Sequence, residues 1–440
     1  EEVDFLRDEN DRLLSRVYDM ETGGTGEAAK FYRPLEIEAY VAEIRGLDFV
    51  EELEFEVVNP EVIEAAVQAR ISASFDDWAF EAMSHAWGVM GFTEPMMNLQ
   101  QAWMAAAGRM SVFYDSSSKK ILVRKEVDPE NPFEIPILAR EICLALLDQH
   151  GANLAENELL SPDMDAGLAR RAFFQGQAAL VADVVSESTL GEQSASGVPL
   201  HDAQNPIQLI AATPVPDFVR QVVTFPSIDG VVYCAHLRDE TGGYKVFDEM
   251  LENGQLPKST RMILMGAEIG KEQRAGLALR IAESKVSDLE QMSLSGEKPI
   301  FVDTAGQFGM RSMLETFLGM AELPEPTRVE DDSDEEGRAV ASGWLADRYA
   351  VFASGEQELH LVWESYWESS AAADAFVASL TDLADVRLGM SPEDTMQRSD
   401  AFRFQRVFRP EPKRVLFIDA QSKDAVATIK AEIDRIEGSK

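Results

Sequence analysis

Apolar residues recur with a helical period along two long stretches of the chain, 134–150 and 163–188. Such a period places the apolar side chains on one helical face, so both stretches are predicted to form long helices. Apolar and polar residues alternate instead between 110 and 124, which predicts a pair of strands. The preceding segment is predicted to hold a strand over 47–58, then helices over 60–70, 76–90 and 96–108.

The middle of the chain has a less regular pattern. Residues 206–225 indicate a helix and Asp229 to Asp239 a second one, with Gly242 to Leu251 forming a third. Leu256-Pro257 ends that helix, and Thr260 to Leu264 is predicted to be extended. A short strand over 299–302 and a helix over Met310 to Leu318 complete this part.

The C-terminal part repeats one order of elements, strand-strand-helix, twice. The strands are predicted at 349–352 and 359–367 and at 402–408 and 415–418, and the helices at 371–383 and 423–436. This order is typical of a small α+β sandwich. The fold class predicted for the whole chain is therefore α+β, a helix-rich domain followed by this sandwich.

The acidic run Glu330 to Glu336 follows two prolines and marks the clearest boundary in the chain. We therefore predict an N-terminal helix over 1–22, a helix-rich domain over 30–325, an acidic linker over 326–338 and the sandwich domain over 339–440.

The N-terminal segment carries a short heptad pattern. Its apolar positions are spaced three and four residues apart, with an asparagine at one core position, a device that fixes register in parallel dimers. We expect homodimerisation through residues 3–20; an amphipathic helix packed on its own domain and a disordered segment are the alternatives. The seam consists of Val3, Leu6, Asn10, Leu13, Val17 and Met20.

Three motifs in the first domain stand in a fixed order. Phe-Tyr-Asp at 113–115 opens a predicted strand, Arg-Glu-Ile-Cys-Leu at 140–144 is followed by Ala-Leu-Leu-Asp-Gln-His, and Gln-Gly-Gln-Ala lies at 175–178. Their order and spacing resemble those of bacterial gluzincin-type zinc metallopeptidases, which carry His-Glu-x-x-His in the second motif and Glu-Gly-x-Ala in the third. The resemblance extends over about residues 40–430.

The resemblance implies that Arg140, Leu144 and Gln175 occupy the positions of the three zinc ligands, and that Glu141 occupies the position of the general base. An arginine cannot become a metal ligand, and a leucine has no lone pair to donate. We therefore predict no metal and no cofactor, and Glu141 would lack the zinc-bound water that it deprotonates in active relatives. No catalytic residue is predicted, and these four positions are vestigial.

A carboxylate left in a half-buried helix needs a partner. Our hypothesis is that Arg140 replaces the lost cation and pairs with Glu141, Asp183 or another nearby carboxylate. In the alternative, the Arg140 side chain extends to solvent.

The net charge of the chain argues against polyanionic partners. The chain has 78 acidic and 40 basic residues, a net charge of −38, so it would repel nucleic acid and anionic membrane surfaces. No apolar run approaches 18 residues, so no membrane span is expected. Because the first residue is Glu, we expect a trimmed N-terminus, and any export signal would lie upstream of this sequence. Export to the periplasm or cell envelope is an expectation that rests on the resemblance.

The two cysteines, Cys143 and Cys234, do not make a disulfide framework. Cys143 lies in an apolar helical run and is expected to be a core residue, and a bridge between the two cysteines stays open.

The function expected is that of a pseudopeptidase, a non-catalytic metallopeptidase-like protein that holds a peptide or protein partner or serves as a scaffold in the cell envelope. One alternative is a hydrolase with unrecognised metal or non-metal chemistry. The other is a structural oligomer organised by the N-terminal coiled coil.

Overall fold

A computed structural model describes residues 35–190, 215–265, 283–317 and 340–438, with short gaps at 95–96, 108–109, 130, 132–133, 161–162, 285, 287, 355–357, 388, 390, 395 and 401. The predicted N-terminal heptad helix, the acidic linker and residues 206–214 lie outside these ranges. The helices up to the midpoint are α1 (Leu35–Arg45), α2 (Pro60–Ser74), α3 (Asp77–Met90), α4 (Leu99–Ala107), α5 (Ile135–Leu147), α6 (Leu154–Asn157) and α7 (Met164–Leu190). The later ones are α8 (Asp217–Thr241), α9 (Lys245–Glu252), α10 (Thr260–Leu264), α11 (Gly306–Phe317), α12 (Ser370–Arg387) and α13 (Lys423–Gly438).

A small sheet stands beside the first helices. It contains β1 (Glu54–Val58), β2 (Val112–Asp115) and β3 (Lys120–Arg124) in the order β1-β3-β2. The predicted strand pair is confirmed as an antiparallel hairpin, and β1 joins β3 in parallel. The turn forms because Asp115 accepts hydrogen bonds from Ser117 N and Ser118 Oγ. One edge of the sheet is therefore β2, which leads directly to α5.

The two long apolar helices are confirmed. Most of α5 is buried, and it packs against α7. A π-helical turn follows over Asp148–Ala152, where Gly151 has a φ of 91°. That left-handed conformation suits a glycine and ends the helix.

Helices α7 and α8 cross so closely that their backbones are in contact. A Cβ added at Gly176 would lie 2.4 Å from the Gly230 carbonyl oxygen, and one added at Gly230 would lie 2.4 Å from the Ala172 oxygen. Only glycine leaves room for so close an approach. The glycine in the Gln-Gly-Gln-Ala motif is thus required by helix packing.

Two elements differ from the prediction. Residues 217–241 form one helix that continues through Pro226, where two helices were expected. Pro226 and Phe225 are buried, so packing outweighs the lost backbone hydrogen bond. The segment Thr260–Leu264, predicted to be extended, is a short helix because the Ser259 side chain caps it by accepting from Arg261 N.

The second sheet has seven strands. They are β4 (Phe301–Asp303), β5 (Trp344–Ser354), β6 (Glu358–Trp367), β7 (Ser391–Asp394), β8 (Gln397–Ser399), β9 (Phe404–Phe408) and β10 (Arg414–Ala420). Their order is β4-β5-β6-β10-β9-β8-β7, with every neighbouring pair antiparallel. The prediction missed β7 and β8, while α12 and α13 pack on the sheet as expected. The predicted α+β class is confirmed.

The sheet and the helices share one hydrophobic core. Trp87 of α3 donates from Nε1 to the Tyr349 hydroxyl at 3.2 Å, and Phe92 packs edge-on against Trp363. Strand β4 precedes the acidic run in sequence and still pairs with β5. In the ranges described, none of the helices combines the length and apolar composition needed to cross a bilayer.

Buried aspartates connect elements that are distant in sequence. Asp165 of α7 accepts from Thr260 N at 3.0 Å and from the Thr260 hydroxyl, and Asp347 accepts from Ala305 N and Gly306 N. Burial raises the pKa of Asp165 to about 7 and that of Asp347 to about 6, although the hydrogen bonds to both carboxyls partly oppose it. These carboxyls therefore bind protons more tightly in the folded chain.

Substituting Gly176 by Ala should destabilise the protein by about 1–3 kcal/mol, because the new methyl group would collide with the α8 backbone. Chemical denaturation measures the free energy of unfolding. Gly438→Ala is the control, since no heavy atom lies within 4 Å of a Cβ there. Equal stabilities for the two variants would contradict the close crossing.

Stability should fall as the pH rises from about 4 to about 7. In this window the unfolded Asp165 has lost its proton while the folded one retains it, so the free energy of unfolding decreases, by about 2–4 kcal/mol for a full shift. Asp165→Asn keeps an acceptor oxygen toward Thr260 but cannot ionise, so its melting temperature should vary less with pH. Asp217→Asn, at an exposed site, should follow the wild-type profile. If the Asp165→Asn profile were identical to the wild-type profile, the raised pKa of Asp165 would be contradicted.

Candidate functional site

A cavity of about 120 Å³ lies among α2, α4, β2, α5, α7 and α8. All four predicted site residues line it: Arg140, Glu141, Leu144 and Gln175. Positions 140 and 144 are one helical turn apart on α5, and position 175 comes from α7, which packs against α5. The three motifs of the sequence therefore meet at one place, because Phe113 and Tyr114 of β2 line the same cavity.

The predicted ion pair of Arg140 is present, and its partner is Glu141. Arg140 donates from Nε and Nη2 to Glu141 Oε1 at 2.9 and 2.7 Å. Tyr114 N donates to the other carboxylate oxygen at 2.8 Å. The side chains of Arg140 and Glu141 are 13% and 2% exposed, so the alternative of an arginine extended to solvent is wrong.

A second polar group in the cavity was not foreseen from the sequence. Glu158, at the end of α6, forms an ion pair with Arg70 of α2 and accepts a hydrogen bond from Gln175 Nε2 at 3.3 Å. Burial and the neighbouring positive charge of Arg171 lower the pKa of Arg70 to about 10, so it stays cationic at neutral pH. Gln175 thus holds the Glu158 carboxylate at the wall of the cavity.

Arg171, one helical turn before Gln175, is a third cation lining the cavity. Burial, and after it the charge of Arg140, lowers the pKa of Arg171 to about 10. No sequence pattern pointed to this residue, because an arginine in a long helix is more often solvated.

The Asp-Gln-His tail after α5 anchors the end of that helix beside the cavity. Asp148 accepts from the Tyr114 hydroxyl at 2.7 Å, from Leu154 N at 2.9 Å and from Lys119 Nζ at 2.6 Å. Gln149 accepts from the backbone of residues 50 and 51, and His150 Nε2 lies 2.8 Å from the carbonyl oxygen of Asp48. The tail therefore fixes the end of α5 to the hairpin and to the segment before β1.

The donors in the cavity do not suit zinc. The positions to which the sequence resemblance assigns zinc ligands hold a guanidinium, an alkyl group and a carboxamide, and both glutamates are already held by arginines. Across the described part of the chain, no group of three or more His, Cys, Asp or Glu side chains is arranged to hold a metal ion.

Neither cysteine takes part in a disulfide. Cys143 and Cys234 are both buried and free, which settles the bridge that the sequence left open. Burial raises the pKa of Cys143 to about 12, so its thiolate is scarce at neutral pH. Cys143 is a core residue, as expected.

Substituting Arg140 by Met should destabilise the protein by about 2–4 kcal/mol, because Glu141 would stay buried without its cation. Thermal and chemical denaturation measure the loss. The double variant Arg140→Met/Glu141→Gln removes both charges and should recover part of it. Arg435→Met, which breaks a surface pair with Glu432, is the control and should leave the melting temperature nearly unchanged. An unchanged melting temperature for Arg140→Met would contradict the buried pair.

Comparison with known proteins gives one result. Residues 298–430 match the model of a domain of unknown function, DUF8575. These residues run from just before β4 into α13, and so include all seven strands of the large sheet. No curated protein and no solved structure matches the chain.

Proposed function

We propose that this protein is a pseudopeptidase, a metallopeptidase-like protein that binds a partner without catalysis. The observation that supports the proposal best is the convergence of Arg140, Leu144 and Gln175 on one cavity around Glu141. These are the positions that the resemblance assigns to three zinc ligands and a general base.

The chemistry of the cavity explains why hydrolysis would fail. A general base of this kind acts on an acidified water, and zinc lowers the pKa of its water from 15.7 to about 7. Glu141 instead receives two hydrogen bonds from Arg140 on one oxygen and one from Tyr114 N on the other. The arginine would take over the electrostatic role of the metal while leaving nothing to activate water.

Binding is the function that a cavity of this kind retains. Its walls are formed by packed helices and by the edge strand β2, and they enclose space beside charged groups. Export to the cell envelope and a peptide or protein partner remain part of the proposal, and they rest on the resemblance. A hydrolase with other chemistry is the rival, and zinc in the purified wild-type protein would favour it.

Restoring the three ligands should restore zinc binding. The variant Arg140→His/Leu144→His/Gln175→Glu is expected to bind about one zinc per chain after dialysis against the metal, because two histidines one helical turn apart and a glutamate then face one cavity. Elemental analysis by mass spectrometry measures the stoichiometry, and circular dichroism verifies the fold.

The matched control carries Arg140→Gln in place of Arg140→His and therefore lacks one ligand. It should lose zinc on dialysis against a weak chelator that the full variant withstands. Stoichiometric zinc in the wild type would overturn the proposal, and so would a folded triple variant that binds no more zinc than its control.

A further inference from the structure

The charges in the cavity do not balance. Three arginines line it, Arg70, Arg140 and Arg171, but only two glutamates, Glu141 and Glu158. Each glutamate already has its own arginine, since Arg140 holds Glu141 and Arg70 holds Glu158. One positive charge is left over, in a protein whose net charge is −38.

The charge left over belongs to Arg171. Its Nε is buried and has no hydrogen-bond partner, and among the described residues no carboxylate pairs with its guanidinium. It stays protonated at neutral pH, because its lowered pKa is still about 10. Arg171 is half-buried, and a half-buried cation without a counter-charge has lost part of its hydration, so the site as it stands favours an anion.

A second hydrogen-bond donor in the cavity wall also lacks an acceptor among the described residues. Trp103 of α4 lines the cavity and is 6% exposed, and its indole Nε1 is buried with no acceptor in the described part of the chain. An indole N–H can only donate. Arg171 and Trp103 therefore both require acceptor oxygens, as a carboxylate supplies, and neither could be satisfied by an apolar molecule alone.

The rest of the wall is apolar. Ile71, Phe75, Leu144 and Val223 line the cavity beside Trp103. The volume of about 120 Å³ is close to that of an engineered apolar cavity of about 150 Å³ that holds benzene. The space therefore suits a compact apolar group the size of one ring, directly beside the unpaired guanidinium.

We propose that the cavity binds a carboxylate attached to a compact apolar group, with the carboxylate accepting from Arg171 and Trp103 and the apolar group lying against Phe75 and Val223. This deepens the proposed function and rests on it, because the ligand would occupy space that a metal site would need. Two sources carry such chemistry. One is a free aromatic or branched aliphatic acid, and the other is the C-terminal residue of a peptide with a large apolar side chain.

The test uses the full chain and four probes at constant ionic strength. The probes are benzoate, its neutral counterpart benzamide, a short peptide ending in a free C-terminal phenylalanine, and the same peptide amidated. Isothermal titration calorimetry measures binding, and thermal shift confirms that the ligand stabilises the fold. We expect at least one of the two carboxylates to bind saturably, and its amide at least about tenfold more weakly, since a hydrogen bond to a charged group contributes about 1.5–3 kcal/mol.

Arg171→Met should weaken the carboxylate at least about tenfold. It should also raise the melting temperature without ligand, because it removes an unpaired half-buried charge. Arg170→Met is the matched control: Arg170 is the adjacent residue on α7, bonds the Asn157 carbonyl and does not line the cavity. That variant should bind the carboxylate like the wild type.

Binding of benzoate identifies a free acid as the source, and binding of the free peptide alone identifies a peptide C-terminus. The inference is overturned if neither carboxylate binds the folded wild type, if the amides bind as well as the carboxylates, or if Arg170→Met and Arg171→Met lose binding equally. Zinc analysis of the same preparation keeps the two proposals apart. If the protein is free of zinc and binds no carboxylate, only the proposed ligand is overturned. If the protein contains bound zinc, the proposed function is overturned.

Discussion

The backbone contact between α7 and α8 at Gly176 and Gly230 determines the geometry of the cavity. Side chains at either position would push the helices apart, and the cavity is lined from both of them, by Gln175 on one and by Val223 and Ser227 on the other. Gln175 precedes Gly176 directly, so its orientation toward Glu158 depends on this crossing. The glycine of the Gln-Gly-Gln-Ala motif is thus a packing residue, and the glutamine beside it is the residue that reaches the ligand-sized space.

Charge is distributed in opposite ways outside and inside the molecule. The chain as a whole is strongly acidic, whereas the cavity holds more guanidinium groups than carboxylates. A negative exterior would slow the approach of any anion, and it would act over a distance set by the salt concentration. Inside the cavity the local cations dominate, because interactions are stronger where water is excluded. An anion that does enter is therefore selected by short-range contacts rather than by long-range attraction.

Much of the fold was predictable because local patterns coincide with tertiary packing. The apolar runs of α5 and α7 and the alternation in β5 and β6 all gave the correct element. The helix Thr260–Leu264 was missed because its stability comes from the Ser259 cap and from Asp165, about 95 residues away in sequence. The strands β7 and β8 were missed because they are short and contain few apolar residues.

The candidate site was predictable only in part, and for a similar reason. The motifs located Arg140, Glu141, Leu144 and Gln175, since each lies within a recognisable spacing. Glu158 and Arg171 carry no such signal, and their importance comes from which charges the folding of the chain places together. The surplus cation becomes visible only when every carboxylate nearby has been assigned a partner.

The pairing of β4 with β5 has a consequence for how this chain can be divided. A fragment that began after the acidic run would lack β4, so the backbone groups of Tyr349, Ala350 and Val351 facing it would be left open at a sheet edge. Exposed edges of this kind recruit other chains and promote aggregation. A fragment that keeps the whole sheet must therefore begin before β4.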